Sequence, residues 1–451
     1  MKALTIQQAA CAVGACTAAE GEITNVCMDN RTVTPGSLFV CIRGERFDGH
    51  DFAKDAVQKG AAAVLCQRDV GIPAQLLVPD TRRALLDLAK YYRSLFSIPV
   101  AAVTGSVGKT TVKEMTAAVF SQKYRTLKTE GNLNNEIGLP RTLFRLEEDT
   151  EAAVIEMGMN HFGEISRLSR TAAPTMGIIG NIGVSHIENL GSREGILKAK
   201  LEILDGMAEN APLILNGDDP LLREVRLSDH PIYTYGIENP YCRFKAYDIE
   251  PTQTGSRFMI DYGCGEQCVE LPAMGRHNIY NALAAFAAGF LISVPPEDAA
   301  RGLAAYTPAG MRQRLHTAGK VRFIEDCYNA SPDSVRAALQ TLRDMDAQRR
   351  IAVLGDMLEL GEISPEAHRR NGVWAAEAGV DVLLTYGDAS AQTYDAAQKG
   401  GVPVVKHFDD KQALSQTLLD LLRDGDTVLV KASRGMKLEE VLQTVYKELE
   451  S

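Results

Sequence analysis

A turn rich in glycine joins a run of small apolar residues to a helix-forming segment, and this junction constrains the fold more than any other feature. The apolar run covers residues 100–103, and the helical pattern covers 109–121. The turn between them contains Gly105 and Gly108. A buried strand that passes through such a turn into a helix is typical of a parallel sheet with helices on both faces. The junction therefore predicts an α/β fold.

The same turn has the composition of a phosphate-binding loop. Glycines let the backbone approach a phosphate closely, and the N–H groups at a helix N-terminus favour anions. Lys109 can reach terminal phosphates, and Thr110 can bind Mg²⁺. The general pattern has a further glycine five residues before Gly108, where this chain has Val103, so the loop is a shortened variant. We expect ATP to bind along Thr104, Gly105, Ser106, Val107, Gly108, Lys109, Thr110 and Thr111.

Strand-like and helix-like segments alternate along all 451 residues. At about 150 residues per domain, this length predicts about three α/β domains, each large enough to bury its own core. Breaks near Pro99 and Pro308 divide the chain into residues 1–97, 98–309 and 310–451. The central segment is predicted to be a parallel-sheet domain like those of P-loop ATPases, with an antiparallel appendix over 243–270. The last segment is predicted to be a Rossmann-like, doubly wound domain.

Charge and cysteine content limit the possible partners. The 48 Lys and Arg against 58 Asp and Glu give a net charge of −10, which opposes binding to nucleic acid or to an anionic membrane surface. The nine cysteines are scattered, and the local pair Cys264 and Cys268 lies at a predicted hairpin tip, so free thiols in a reducing cytoplasm are expected. No apolar run is as long as a membrane span. Gln7 and Gln8 interrupt the place of a signal-peptide core, which favours an ordinary strand and helix there.

Two polar side chains follow later buried strands of the central segment. Glu156 ends the strand over 152–156, and His186 follows the strand over 176–180. Taken singly, the glutamate could be a solvated strand end and the histidine a structural residue. The carboxyl ends of parallel strands meet at one edge of a sheet, so both side chains can face a nucleotide held by the loop. This clustering favours a functional role.

These residues together resemble the Mur ligases, which add amino acids to the cell-wall precursor and have folylpolyglutamate synthase as a cousin. The resemblance also rests on Lys198-Ala199-Lys200, on His277-Asn278 with Asn281, and on the order of three domains. Within the family, five segments resemble the branch that joins D-alanyl-D-alanine to a UDP-muramoyl tripeptide, and the match runs from about residue 29 to 442. Those segments are 131–140, 156–160, 326–332, 354–361 and 431–437.

The resemblance implies a reaction in two steps. ATP phosphorylates the peptide carboxylate to an acyl phosphate, and the amine of the dipeptide then displaces phosphate to leave an amide. Positive charge from Lys109 and Mg²⁺ would offset the repulsion between the ATP phosphates and the peptide carboxylate. Thr110 and Glu156 would hold the nucleotide Mg²⁺, while His186 and a carbamylated Lys200 would position a second one. Lys200 is favoured over Lys198 because it precedes Leu-Glu-Ile and faces another side of the helix. The expected catalytic residues are Lys109, Lys200 and His186.

The resemblance also assigns the remaining contacts. Asn281 should help to hold the adenine, and Arg312 and Asp326 should reach ATP from the third domain, across a hinge at 307–310 that closes when substrates bind. The first domain should bind the UDP end through residues 29–32, where this chain has Asn30 in place of the family's serine, and through the loop 43–50. The expected substrate contacts are Asn30, Arg31, Asn134, Asn135, Glu136, Tyr328 and Asn329.

Two alternatives stay open at this point. Another ligase of the superfamily, adding the third amino acid or glutamate to folate, would share the ATP site, although residues 134–136 and 328–330 argue against both. An ATP-driven switch protein would hydrolyse nucleotide without a peptide acceptor. The preferred partners are UDP-N-acetylmuramoyl-tripeptide and D-alanyl-D-alanine, with a cytoplasmic monomer implied by the resemblance. The sequence does not decide between lysine and diaminopimelate as the third peptide residue.

Overall fold

The computed structural model describes residues 1–252, 254–308 and 310–450, and it is built on four β-sheets flanked by helices. The three larger sheets fall one in each predicted segment, and the predicted α/β class is confirmed. The domain boundaries themselves stay predictions. Ala309, in the predicted hinge, lies outside the described residues. In the part of the chain that is described, no helix is both long enough and apolar enough to span a membrane.

The first unit holds a parallel four-stranded sheet in the order β3-β4-β5-β6 and a separate antiparallel pair, β1 with β2. Its strands are β1 (Leu4–Thr5), β2 (Glu22–Ile23), β3 (Asn25–Cys27), β4 (Ser37–Val40), β5 (Ala63–Cys66) and β6 (Gln75–Leu77). Its helices are α1 (Ile6–Val13), α2 (Ala53–Gln58) and α3 (Thr81–Ser94).

The N-terminal strand and helix are confirmed, and the glutamines explain the helix start. Thr5 Oγ1 accepts from the Gln8 backbone N–H at 3.1 Å, and Gln8 Oε1 accepts from the Thr5 N–H at 2.8 Å. This reciprocal capping box satisfies two N–H groups that the first helical turn leaves free. Gly14, in the left-handed conformation, ends the helix.

The first unit does not bury a fully separate core, contrary to the prediction. One face of its sheet encloses a small cluster around Phe39 and Val64, but the other face joins an apolar cluster that runs from Leu4 to Leu222 in the central unit. At this contact, Tyr92 Oη donates to the Leu146 carbonyl at 2.7 Å. Fewer than 100 residues enclose little surface by themselves, so sharing a core stabilises this unit.

The central unit is built on a nine-stranded sheet in the order β15-β14-β13-β12-β11-β10-β7-β9-β8. Its strands are β7 (Val100–Thr104), β8 (Thr126–Lys128), β9 (Ala152–Glu156), β10 (Met176–Ile179), β11 (Leu213–Asn216), β12 (Ile232–Gly236), β13 (Phe244–Pro251), β14 (Ser256–Asp261) and β15 (Glu266–Leu271). Its helices are α4 (Lys109–Phe120), α5 (Gly138–Leu143), α6 (Glu164–Ala172), α7 (Ile187–Leu190), α8 (Arg193–Leu201), α9 (Arg276–Leu291) and α10 (Pro296–Ala304).

Two details of the central unit differ from the sequence prediction or extend it. The antiparallel appendix is part of the same sheet, because β13 pairs in parallel with β12 before β14 and β15 turn back. The helix predicted over 191–207 ends at Leu201 and continues as a 3₁₀ turn, Glu202–Gly206. Cys264 lies in the turn between β14 and β15 as predicted, and all nine cysteines are free thiols.

The third unit is a six-stranded sheet in the order β16-β17-β21-β18-β19-β20, with an apolar cluster on each face. Its strands are β16 (Arg314–Ala318), β17 (Val321–Asp326), β18 (Arg349–Gly355), β19 (Val382–Tyr386), β20 (Val404–Phe408) and β21 (Asp426–Lys431). Its helices are α11 (Pro332–Asp344), α12 (Ser364–Glu377), α13 (Ala391–Lys399), α14 (Lys411–Leu421) and α15 (Glu439–Leu449). The antiparallel edge strand β16 was not predicted, because four of its five residues are not buried and it lacks a strand-like apolar run.

Candidate active site

A cavity of about 650 Å³ lies where the carboxyl ends of the central strands face the third unit. The adjacent strands β7, β9 and β10 bring the phosphate loop, Glu156 and the segment around His186 to one edge. The residues predicted from the sequence that line this cavity are Ser106, Val107, Gly108, Lys109, Thr110, Thr111, Asn134, Asn135, Glu156, His186, Asn281, Arg312, Asp326, Tyr328 and Asn329. The structure therefore gathers most of the predicted site in one place.

The backbone of the phosphate loop is fixed by hydrogen bonds with Asn181, a residue to which the sequence pattern assigned no role. Its Oδ1 accepts from the N–H groups of Ser106 and Val107 at 3.1 and 2.9 Å, and its Nδ2 donates to the Val107 carbonyl at 2.8 Å. Gly108 has φ of 83°, and a Cβ there would lie 2.9 Å from Asn281 Oδ1. The one available signal for Asn181 was an amide placed directly after a buried strand.

Lys109 places a cation at the base of the cavity. Its Nζ donates to the carbonyls of Gly105 and Ser106, at 2.9 and 3.4 Å. Burial lowers the pKa of this lysine below its ordinary value, Glu156 opposes that change, and Arg312 adds to it. Lys109 and Arg312 therefore face the same space, as an anionic ligand requires.

Glu156 has one engaged and one free carboxylate oxygen. Oε1 accepts from Asn134 Nδ2 at 2.8 Å, and the Glu156 N–H donates to Thr129 Oγ1 at 3.0 Å. Thr129 is itself held by the buried Lys113, whose Nζ donates to its carbonyl at 2.7 Å. Oε2 is buried and, within the described residues, has no hydrogen-bond partner. A carboxylate oxygen left in this way is suited to a cation.

The residues present fit Mg²⁺ delivered with a nucleotide. The free oxygen of Glu156 and the Thr110 hydroxyl border the same cavity, and both are hard oxygen ligands of the kind that Mg²⁺ prefers. Among residues 1–252, 254–308 and 310–450, no group of three His, Cys, Asp or Glu side chains could hold an ion alone. Magnesium commonly takes one or two carboxylates and completes its shell with phosphates and water, so this sparse protein set suffices.

Asn134 is expected to act by orienting Glu156. An Asn134→Ala enzyme should keep its fold but require about 10-fold more Mg²⁺ for half-maximal activity, because removing a partner that orients a metal ligand typically costs 10- to 100-fold in metal affinity. Titrating Mg²⁺ at saturating substrates measures this. Asn132→Ala, in the same loop, is the matched control, and equal Mg²⁺ requirements for the two variants would contradict the assignment.

The two lysines of α8 lie on different faces, as predicted. Lys200 is 2% exposed, whereas Lys198 is exposed and its Nζ lies 5.9 Å from the centre of the Phe162 ring. Burial, followed by the charge of Lys109, holds the pKa of Lys200 well below its ordinary value. A depressed pKa favours the neutral amine, which is the form that reacts with CO₂. Carbamylation of Lys200 stays a prediction.

His186 is held as a neutral imidazole by burial and by the nearby charges of Lys109 and Lys200. Burial, then the charges of Lys109 and Lys200, lowers its pKa to about 4. The neutral ring is the form that binds metals. Its backbone is in the left-handed region, with φ of 63°, which is uncommon for a residue other than glycine and is found at functional sites.

The third unit contributes a stacked arginine and a buried ion pair. The Arg312 guanidinium lies 3.8 Å from the centre of the Tyr328 ring, a geometry that fixes its direction. Asp326, the residue expected to reach the ribose, accepts from Lys431 Nζ at 2.7 Å, and Lys431 also donates to the Asn329 carbonyl at 2.9 Å. Burial raises the pKa of Asp326, and Lys431 opposes that change. Lys431 also lines the cavity and was not assigned from sequence.

Contacts between the units close the cavity on one side. The Asp333 carboxylate accepts from the Val184 N–H at 3.3 Å, and a Cβ at Gly183 would lie only 2.2 Å from it. His277 Nε2 and Gln313 Oε1 are 2.7 Å apart. Glycine at position 183 thus lets the third unit approach the phosphate loop, because any side chain there would clash with the Asp333 carboxylate.

Other predicted residues do not line this cavity. Lys200, Thr104 and Gly105 are buried and are not part of its lining. Asn30 Nδ2 donates to Asp55 Oδ2 at 2.7 Å, the exposed Arg31 pairs with Asp29 at 2.6 Å, and Glu136 pairs with Arg167. Asn135 does line the cavity, and it also helps to start α5, because its Oδ1 accepts from the N–H groups of Ile137 and Gly138. The predicted substrate roles of these residues stay predictions.

A second cavity of about 750 Å³ lies between the edge strands β3 and β8, next to the residues predicted to bind UDP. Cys27, Met28, Asp29 and Thr32 line it from the first unit. In the loop 43–50, His50 is buried and structural, since its Nε2 accepts from the Gln67 N–H at 2.9 Å and its Nδ1 lies 2.5 Å from Asp48.

Comparison with known proteins identifies the family of this chain. Three family models match: the Mur ligase family catalytic domain over residues 22–93, the Mur ligase middle domain over 103–289, and the Mur ligase glutamate ligase domain over 311–434. The UDP-N-acetylmuramoyl-tripeptide–D-alanyl-D-alanine ligase of Bacillus subtilis is 43% identical over 93% of both chains, and that of Escherichia coli is 40% identical over 93% of both.

Solved structures extend the likeness to three dimensions. A crystal structure of MurF from Acinetobacter baumannii matches with a TM-score of 0.93 and 32% identity over 99% of both chains. MurF from Thermotoga maritima, in complex with ADP, matches with a TM-score of 0.86 and 29% identity over 94% of this chain and 98% of that one. With its phosphate loop, its gathered cavity and these relatives, the chain belongs to the Mur ligase family.

Proposed function

We propose that this chain is an ATP-dependent ligase that joins D-alanyl-D-alanine to UDP-N-acetylmuramoyl-tripeptide and so forms the pentapeptide precursor of peptidoglycan. The observation that carries the proposal is the 650 Å³ cavity in which the phosphate loop, Glu156 and His186 meet Arg312 and Asp326 of the third unit. Relatives bearing the name of this ligase match more than nine-tenths of the chain. The free thiols and the small nucleotide-linked substrates favour a reaction in the cytoplasm.

The first step is transfer of a phosphoryl group to the peptide carboxylate. A carboxylate is a poor electrophile, and two anions must approach each other, so fixed positive charge is the main requirement. Lys109 of the central unit and Arg312 of the third unit supply it, and the N–H groups at the start of α4 add to it. When bound by Thr110 and Glu156, Mg²⁺ supplies further positive charge. His186 and a carbamate on Lys200 would hold a second ion.

The second step is attack of the dipeptide amine on the acyl phosphate, with release of phosphate. An acyl phosphate is hydrolysed by water, so the wall formed by the third unit protects the intermediate. The tight contact of Asp333 with Gly183 and Val184 helps to form that wall. The UDP end would lie near residues 29–32, where a second cavity opens between the first and central units.

Phosphate release tests this proposal against the switch-protein alternative. The ligase should release almost no phosphate from ATP alone and turn over only with UDP-N-acetylmuramoyl-tripeptide and D-alanyl-D-alanine both present. Phosphate and the pentapeptide should then form in equal amounts. Peptides ending in lysine and in diaminopimelate should be compared in the same assay. Hydrolysis that is rapid without the peptide would contradict the ligase assignment.

The third unit is expected to rotate onto the central unit when both substrates bind. The predicted hinge is 307–310, and polar contacts such as Asp333 to Val184 bridge the two units, so their relative position can change at modest cost. Small-angle scattering with a non-hydrolysable ATP analogue plus the UDP-peptide should show a smaller radius of gyration than with the peptide alone. Identical values would argue against closure.

A further inference from the structure

The cavity must also receive the second substrate, and the inference drawn from this rests on the function proposed above. The α-amino group of a dipeptide titrates near pH 8, so it arrives largely as an ammonium at neutral pH. The cavity wall carries the cationic side chains of Lys109 and Arg312. Their positive charge repels the ammonium of the dipeptide. A carboxylate that faces the cavity is therefore needed to attract it.

Six carboxylate side chains line the cavity, and five of them are engaged by hydrogen bonds. The engaged carboxylates and their donors are Glu156 with Asn134, Glu164 with Asn160, Asp219 with Ile182, Asp326 with Lys431 and Asp333 with Val184. Glu359 is the sixth. Over the described residues its one hydrogen-bond or ion-pair partner is His186, whose Nδ1 lies 3.5 Å from Glu359 Oε2.

The backbone around Glu359 is held by hydrogen bonds, whereas its side chain is largely exposed. Just before it, the Met357 N–H donates to Nε2 of the buried His368 at 3.0 Å, and the Leu358 N–H donates to Ser433 Oγ at 2.9 Å. Glu359 itself has φ of 62°, in the left-handed region, and its side chain is 69% exposed. Backbone strain of this kind persists where neighbouring contacts enforce it, and it is concentrated at ligand-binding sites.

We propose that Glu359 binds the ammonium group of the incoming D-alanyl-D-alanine and holds its nitrogen opposite the acyl phosphate. The ammonium loses one proton to water, and the neutral amine so formed is the nucleophile. Glu359 reaches the cavity from the loop after β18, on the side where His186 enters from the central unit. There Glu359 Oε2 lies 3.5 Å from Nδ1 of His186, the residue predicted to hold the second Mg²⁺. The free carboxylate thus lies beside the expected position of the activated carbonyl, which is where the nucleophile must bind.

Initial rates of the full-length enzyme test this, with D-alanyl-D-alanine varied at saturating ATP, Mg²⁺ and UDP-peptide. Glu359→Gln should raise the KM for the dipeptide by about 10-fold or more and leave the KM for ATP within about twofold. The KM of Glu359→Asp for the dipeptide should lie between those of the wild type and Glu359→Gln. Glu362→Gln is the matched control, since it removes an exposed carboxylate three residues away that does not line the cavity.

A second measurement separates dipeptide binding from activation. Hydroxylamine is an uncharged nucleophile at neutral pH, and it converts an acyl phosphate to a hydroxamate without needing an ammonium site. Glu359→Gln should form hydroxamate from ATP and UDP-peptide at the wild-type rate. An unchanged KM for the dipeptide, or an equal loss of hydroxamate formation, would overturn the proposal. A wild-type enzyme that forms no hydroxamate would instead contradict the proposed function.

Discussion

A Lys109→Ala enzyme is expected to lose ligation by a factor of roughly 10³ or more while remaining folded. The lysine lies in the cavity wall, and its Nζ donates to two loop carbonyls, so its removal takes away a charged group at the cavity and not part of the apolar core. Charge directed at the transferring phosphoryl group is typically worth several kcal/mol, and about 4 kcal/mol corresponds to this factor. Pentapeptide formation at saturating substrates measures the loss.

Lys123→Ala is a suitable control for this variant. Lys123 is exposed just after α4, donates to the Ser293 carbonyl and does not line the cavity. Circular dichroism should show the same thermal unfolding for both variants and the wild type. If a folded Lys109→Ala enzyme turned over at a near-normal rate, the ATP site would have to be placed elsewhere.

A Lys200→Ala enzyme is the second variant expected to lose nearly all ligation, again by roughly 10³-fold, while it still binds ATP. An ammonium at this position would repel Mg²⁺, whereas a carbamate formed from the neutral amine supplies anionic oxygen ligands. The buried position and the depressed pKa of Lys200 provide that neutral amine. Ligation rates and ATP affinity, measured on the same preparation, give the two quantities needed.

Chemical rescue and a neighbouring lysine make the test of Lys200 specific. Formate or acetate should restore part of the lost rate by occupying the anion position that the variant vacates. Lys198→Ala, which removes an exposed lysine on the other face of α8, should change the rate little. Should Lys198→Ala prove inactive and Lys200→Ala active, the wrong lysine was chosen, and two active variants would exclude the carbamate.

Local patterns in the sequence were enough to predict the α/β class, a sheet in each of three units and the phosphate loop. Each depends on residues that are near neighbours along the chain, such as the strand Val100–Thr104, its glycine turn and the helix that starts at Lys109. Sheet geometry then places the ends of parallel strands together, so Glu156 and His186 were correctly expected at one edge. The edge strand Arg314–Ala318 lacks such a pattern and was missed.

The residues that support the site depend on contacts between distant parts of the chain. Asn181 holds the loop across 74 positions, and Lys431 pairs with Asp326 across 105. Glu359 meets His186 only because the third unit packs against the central one. Spacing in one sequence carries no record of such pairs, since burial and side-chain direction arise only when the units pack.

The sequence by itself determined that this chain forms three sheet-centred α/β units with a phosphate loop at the edge of the second. Periodicity, turns and helix starts are local properties, and they act before any long-range contact forms. Only the tertiary structure decided that the first unit shares its core. In the part of the chain that the structure describes, it also decided that Glu156 keeps one oxygen without a hydrogen bond and that Glu359 lies at the cavity with His186 as its partner. Each of these features depends on which side chains are buried together and which stay in contact with water, and packing of the units decides that.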